Sequence, residues 1–181
     1  SQSKQEVTIA VAEMMGKGLS SVCRMAKTIG ADTIPVDIGL NFDRQLSGIL
    51  SKKVRCGTRN FHKEPAMTEQ EVIRAIAVGI EMVAYCKEAG YKIIATGEAG
   101  IGNTTTSSAV ASALLQCEPS EVTGRGAGLS DVGLLHKQQI IEEAIQKYDL
   151  YHVDPFTVLK TVGGLDIAGL VGICIGGAMY G

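Results

Sequence analysis

The sequence predicts an α/β fold, a three-layer, parallel Rossmann-like sheet with helices on both faces, incomplete within these residues. Three observations predict it. Two short apolar runs, Thr33–Ile38 and Tyr91–Thr96, read as buried strands, and each runs into a glycine at its carboxyl end. Most of the remaining chain carries apolar residues at helical spacing. The stretch from Lys92 to Ser108 passes from an apolar run through three glycines to a block of hydroxyls, then into an alanine-rich helix. That is the order of strand, tight loop and helix N-terminus, and open parallel sheets bind ligands at such junctions. Two strand signals among five or six helices are few for a doubly wound sheet. Further strands are therefore expected, either undetected here or in sequence outside this chain.

The 181 residues suffice for a single unit with its own core, read as one nucleotide-binding domain over 1–181. The chain begins in polar sequence without Met and stops at Gly181 behind an apolar helix, so it is expected to be a fragment of a longer protein. With 45% hydrophobic and 20% charged residues it is globular in composition, not disordered. A net charge of −2 leaves no electrostatic footprint for nucleic acid or an anionic membrane surface. Without Trp, and with 3 Phe and 5 Tyr, the chain has few aromatics for a base-stacking platform. The five cysteines (Cys23, Cys56, Cys86, Cys117, Cys174) show no C-x-x-C spacing. Their odd number and the missing signal peptide predict a reducing cytoplasm and free, mostly buried thiols, with no metal site. Residues 162–181 come closest to a membrane span, but glycines and Asp166 interrupt them, and a Gly-rich buried helix fits the pattern as well.

Taken in order, residues 6–29 are helical in spacing, with Gly16 and Gly18 predicting a kink or close packing and Gly30 the end. Asp37 lies near the carboxyl end of the first strand, where it is either a site residue by position or a loop-capping acid. Residues 40–68 form a long aperiodic stretch with the basic cluster Lys52, Lys53, Arg55 and Arg59. Arg55 and Arg59 could reach a phosphate or a neighbouring subunit, whereas Lys52 and Lys53 read as solvated. His62 has no second His or Cys at ligand spacing. Thr68-x-x-Glu71 is a capping box for a helix that runs to about Ala89 and ends at Gly90. Thr104–Gln116 is a helix of small residues, broken by Pro119. A second glycine-rich segment, Thr123-Gly-Arg-Gly-Ala-Gly-Leu-Ser130, ends in a good N-cap for a helix over Asp131–Tyr148, with Lys137 two turns in. Asp154-Pro155 starts a short helix, Phe156–Thr161, and Gly163-Gly164 leads to the last apolar helix.

The first glycine-rich loop carries the chemistry. A helix start presents unpaired N–H groups and the positive end of the macrodipole, so it suits an anion. Gly97, Gly100 and Gly102 let the backbone approach a ligand closely. Glu98 cannot favour a phosphate and is better placed to accept hydrogen bonds from sugar hydroxyls or another neutral donor. No Gly-Lys-Ser/Thr follows, so this is not a Walker A loop. Nor is it a dinucleotide fingerprint, because Gly97-x-x-Gly100-x-Gly102 has the wrong order of spacings. A phosphate or nucleotide site remains. The plain alternative is a βα turn whose threonines cap a helix, but a cap needs one hydroxyl and not three.

The segment Gly97-Glu-Ala-Gly-Ile-Gly-Asn-Thr-Thr-Thr106 resembles the signature of the nicotinate-nucleotide–dimethylbenzimidazole phosphoribosyltransferases. So do Val36-Asp-Ile-Gly39, Lys53-Val-Arg-x-Gly-Thr-x-Asn-Phe61, Pro65-Ala-Met-Thr68, Val78-Gly-Ile80, Gly124-Arg-Gly-x-Gly-Leu-x-Asp131, Lys137 and Gly163-Gly-x-x-Ile-Ala168. The resemblance implies transfer of the 5-phosphoribosyl group of nicotinate mononucleotide to a benzimidazole-type base, with release of nicotinate. The product would be an α-ribazole-phosphate-type nucleotide for cobamide assembly. It implies that Gly100, Gly102, Asn103, Thr104 and Thr105 hold the phosphate with Lys137, that Glu98 binds ribose hydroxyls, and that Gly124, Arg125 and Gly126 line the nucleotide pocket. It implies no cofactor, no metal, and a homodimer. The family's general base is a glutamate in a later motif absent here, so no catalytic residue is expected in this chain and that Glu is expected beyond Gly181. Near the start, Ser1 and Val7-Thr8 fit a base-pocket pattern, but Ala10 stands in place of Gln, which leaves the acceptor base open. The alternative function is a catalytically silent nucleotide- or phosphate-binding module that lacks the glutamate.

Overall fold

In the computed structural model, residues 6–181 are described; Ser1 lies outside them. The order is α1 (Glu6–Gly16), α2 (Ser21–Thr28), β1 (Val36–Asp37), β2 (Leu50–Ser51), α3 (Glu69–Glu88), α4 (Asn103–Leu115), α5 (Pro119–Val122), α6 (Asp131–Tyr148), a 3-10 turn (Leu150–His152), α7 (Pro155–Val162) and α8 (Leu165–Tyr180). The kink expected at Gly16 and Gly18 is a full break between α1 and α2. Close packing also holds there, because a Cβ on Gly16 would strike the Ser47 carbonyl.

The strands are the main departure from expectation. The first apolar run contributes only Val36–Asp37, which pairs in parallel with Leu50–Ser51, inside the stretch read as aperiodic. The expected strand over 91–96 is not formed among the described residues, and Ile93 is 88% exposed. A strand needs a neighbour for its N–H and C=O groups, and among the described residues no ladder hydrogen bond reaches residues 92–96. The result is an α/β chain with a small open parallel sheet beside a mainly helical body.

The core lies between α3, α4, α6, α7 and α8, where Val72, Ile141, Val158 and Val162 are fully or almost fully buried. The glycines of α8 are explained by its packing on α3. Gly172 leaves no room for a Cβ beside the Ile76 carbonyl, and Gly176 lies against Val83. Gly79 answers from α3, closed off by Gly169 and Gly172. The two helices run parallel at backbone contact, which is why the apolar C-terminal segment is rich in glycine. No helix among the described residues is long and apolar enough to cross a membrane.

Capping chemistry sets the helix starts as expected. Thr68 accepts from Glu71 N–H at 3.2 Å while Glu71 accepts from Thr68 N–H at 2.7 Å. Glu71 also receives Arg59 at 2.7 Å and Arg55 at 3.1 Å. The Arg59 hydrogen bond is the largest cause holding its carboxyl down at about 2. Arg55 and Arg59 are thus engaged in fastening the 40–68 stretch to α3, not turned out toward a phosphate. Lys52 pairs with Glu81 on the surface, as a solvated lysine can, but Lys53 is drawn in against Asp37 at 3.0 Å. All five cysteines are free; Cys23 and Cys86 are buried, whereas Cys56 and Cys174 are exposed, so the thiols are not mostly buried.

Candidate active site

Gly102 ends the first glycine-rich loop with φ at 100°, a left-handed conformation that needs glycine, and α4 starts at the next residue without a side-chain cap. The threonines therefore do not serve as N-caps. Asn103 closes the turn from inside. Its Oδ1 accepts from Thr104 N–H at 2.7 Å, and its amide nitrogen donates to Glu98. The Thr105 N–H donates to Gly102 O at 2.9 Å. An incoming anion would compete with these two contacts for the Thr104 and Thr105 N–H groups.

The second glycine-rich loop packs onto this turn. Lys137, 6% exposed on α6, donates to Thr104 Oγ1 at 2.9 Å and to Gly124 O at 3.0 Å. Both acceptors are neutral, and among the described residues no carboxylate pairs with this ammonium. Burial accordingly lowers its pKa. Two of its three N–H bonds are used, which leaves one for a ligand. Gly126 has φ at 57°, and a Cβ there would lie 2.7 Å from Thr104 Oγ1. Glycine at 126 is what lets the two loops meet.

Glu98 lies at the other end. Burial is the first cause that raises its pKa, the Asn103 hydrogen bond opposes it, and the nearby Asp166 charge raises it further. Asp166 is itself raised by burial. Asp166 was not singled out as a site residue in the sequence, although the signal was there: an acid in the first turn of a helix that follows Gly163-Gly164, inside a matched motif.

The structure thus gathers Glu98, Gly100, Gly102, Asn103, Thr104, Thr105, Gly124, Gly126 and Lys137 around the two loops. A Cβ on Gly100 would lie 3.0 Å from Glu98 Oε1. Arg125 is placed differently. Its guanidinium folds back onto the start of α6, donating to Leu129 O at 3.0 Å and to Asp131. Asp37 accepts from Leu40 N–H at 2.8 Å and pairs with Lys53 at 3.0 Å, so it caps the loop that leaves β1. The carboxyl end of β1 is nonetheless close to the site, because Leu165 fills the space at Gly39 and the next residue is Asp166. His62 meets Glu143 at 2.7 Å, and no group of metal-binding side chains occurs among the described residues.

A buried cation, a helix N-terminus and a neighbouring carboxyl on an α/β frame make an arrangement that can hold a phosphorylated sugar. A phosphoribosyltransferase family model matches residues 1–181. The nicotinate-nucleotide–dimethylbenzimidazole phosphoribosyltransferase of Clostridium perfringens is 42% identical over 97% of this chain and 49% of its own length. The protein of the same name from Acetivibrio thermocellus is 45% identical over 96% of this chain and 50% of its own. A crystal structure of CobT from Thermus thermophilus superposes with a TM-score of 0.92 at 32% identity, over 99% of this chain and 54% of that one. The chain belongs to the nicotinate-nucleotide–dimethylbenzimidazole phosphoribosyltransferase family, and it spans about half the length of the curated relatives it matches.

Proposed function

We propose that the full-length protein moves the 5-phosphoribosyl group of nicotinate mononucleotide onto a nitrogen of a benzimidazole-type base. The observation that carries this reading is Lys137: a buried ammonium, held by two neutral oxygens, at the junction of two glycine-rich loops. An ammonium without a counter-charge attracts an anion, and the helix N-terminus beside it has the same sign preference. The phosphate of the donor would bind there, to Lys137 and the Thr104 hydroxyl. Glu98 would accept from ribose hydroxyls. Anchored at both ends, the ribose presents C1′ to the acceptor, a positioning contribution to rate.

In the transfer, a ring nitrogen of the base attacks C1′ as the bond to nicotinate breaks. The bonding pair returns to the nicotinate ring nitrogen, which loses its pyridinium charge, and inversion gives the α-nucleotide. The attacking nitrogen carries a lone pair and no proton; the proton on the other ring nitrogen leaves to a base, proposed to be a glutamate outside residues 1–181. The chain itself would supply binding and orientation of the donor. We further propose that the complete protein builds the three-layer, parallel sheet with helices on both faces, that residues 91–96 join that sheet, and that the protein works in the cytoplasm as a homodimer.

The test is release of nicotinate by the full-length protein given nicotinate mononucleotide and benzimidazole, with calorimetry alongside. Turnover is expected. Binding without turnover on any aromatic base tried favours the silent binding module. Neither binding nor turnover overturns the reading of the loops.

A further inference from the structure

Residues 91–99 are all exposed, and only at Gly100 and Ile101 does this segment become half-buried. Beyond Tyr91, its backbone is tied to a distant element at one place among the described residues: Ile101 N–H donates to Thr8 Oγ1, on α1, at 3.0 Å. The two residues are 93 positions apart in sequence. Ile101 stands between Gly100 and Gly102, and Gly102 is in the left-handed region. A peptide flanked by two glycines has many accessible conformers, so an external hydrogen bond at its centre selects among them. The same bond turns the Ile101 N–H toward α1.

We propose that Thr8 is a positioning residue for the glycine-rich loop: its hydroxyl, acting through the Ile101 peptide, fixes the loop in the shape that receives the donor phosphate. This rests on the reading of residues 97–106 as the donor-phosphate loop. Thr8 acts through Ile101, and that contact makes α1 part of the donor site. The valine variant keeps the branched shape of Thr8 and removes the acceptor oxygen; the serine variant keeps the oxygen.

The test uses the full-length protein with Thr8→Val and Thr8→Ser. Two quantities are measured: the kinetics with nicotinate mononucleotide, and amide hydrogen exchange of peptides covering residues 97–102. Thr8→Val is expected to raise KM for nicotinate mononucleotide roughly three- to tenfold, the size of one neutral hydrogen bond, with kcat changed less than about twofold. Exchange in the loop quickens. Thr8→Ser returns both readouts toward wild type. The proposal is overturned if Thr8→Val leaves KM and exchange unchanged, or if Thr8→Ser is as impaired as Thr8→Val, which would make the role steric. Should the wild type release no nicotinate, the functional reading fails, and the exchange comparison still decides the tether.

Discussion

Lys137→Met separates binding from stability at the site. The substitution keeps the apolar stem and removes the ammonium, which is 6% exposed and bonded at 2.9 Å and 3.0 Å to neutral oxygens. Two effects on the fold oppose each other. Loss of the hydrogen bonds leaves Gly124 O without its donor, at a cost of about 1–3 kcal/mol. Removal of a desolvated cation gives back a penalty of similar size, so net stability should stay within about 1 kcal/mol of wild type. Binding has no such offset. A hydrogen bond to a charged group is worth about 1.5–3 kcal/mol, so Kd for nicotinate mononucleotide should rise roughly 10- to 150-fold. The assays are urea unfolding and calorimetry on the full-length protein. The pH dependence gives a third check. Burial lowers the folded-state pKa below the ordinary 10.5, so the unfolded chain binds more protons in that window. The wild type should therefore gain stability as pH rises toward 10.5, and the Met variant should lack that gain. Unchanged affinity in Lys137→Met, or a large loss of stability with affinity intact, would refute a phosphate at this lysine.

Two further predictions concern what surrounds the site. Glu71→Gln should cost about 2 kcal/mol at neutral pH, less than the shift from 4.5 to about 2 implies, because the side chain is 17% exposed and partly screened. The carboxyl is depressed, so its stabilisation is present above 4.5 and lost as pH falls toward 2; a variant with the wild type's acid-unfolding midpoint would remove Glu71 as the anchor of the 40–68 stretch. Gly126→Ala places a Cβ 2.7 Å from Thr104 Oγ1 at a backbone φ of 57°, which should cost about 1–2 kcal/mol in stability and displace the hydroxyl that Lys137 holds. Calorimetry should then show weaker nicotinate mononucleotide binding; wild-type affinity would mean that the two loops do not need to meet.

Local chemistry was legible in the sequence wherever one residue fixes one element. Thr68 with Glu71, Ser130 and Asp154 cap their helices as read, because a cap depends on three or four neighbouring residues. The two glycine-rich loops were legible for the same reason. What depends on partners far along the chain was not. Leu50–Ser51 has no periodicity and pairs only because β1 lies beside it. Residues 91–96 carry the composition of a strand and lack a neighbour among the described residues. The arginines at 55 and 59 read as free to reach a phosphate or a neighbouring subunit because nothing in their local sequence announces Glu71 as their partner. Asp166 escaped as a site residue because an acid at a helix start has an ordinary explanation, and only its approach to Glu98 gives it another.

These contacts also explain why the site would orient what it binds. A chain of hydrogen bonds runs from Glu98 through the Asn103 side chain to the Thr104 N–H, and from the Thr104 hydroxyl to Lys137. The ammonium stands at one end and the carboxyls of Glu98 and Asp166 at the other, so the site has a positive end and an acceptor end. A phosphorylated sugar has the complementary polarity, with an anion at one end and hydroxyl donors at the other. Reversed, it would set phosphate against carboxylate, and like charges at such range in a partly desolvated site cost several kcal/mol. The raised pKa values of Glu98 and Asp166 fit this division: both are disfavoured as anions in the ligand-free site, and hydroxyl donors would relieve Glu98. Donor binding should therefore lower the Glu98 pKa and raise that of Lys137, pulling the two ends of the site apart in charge.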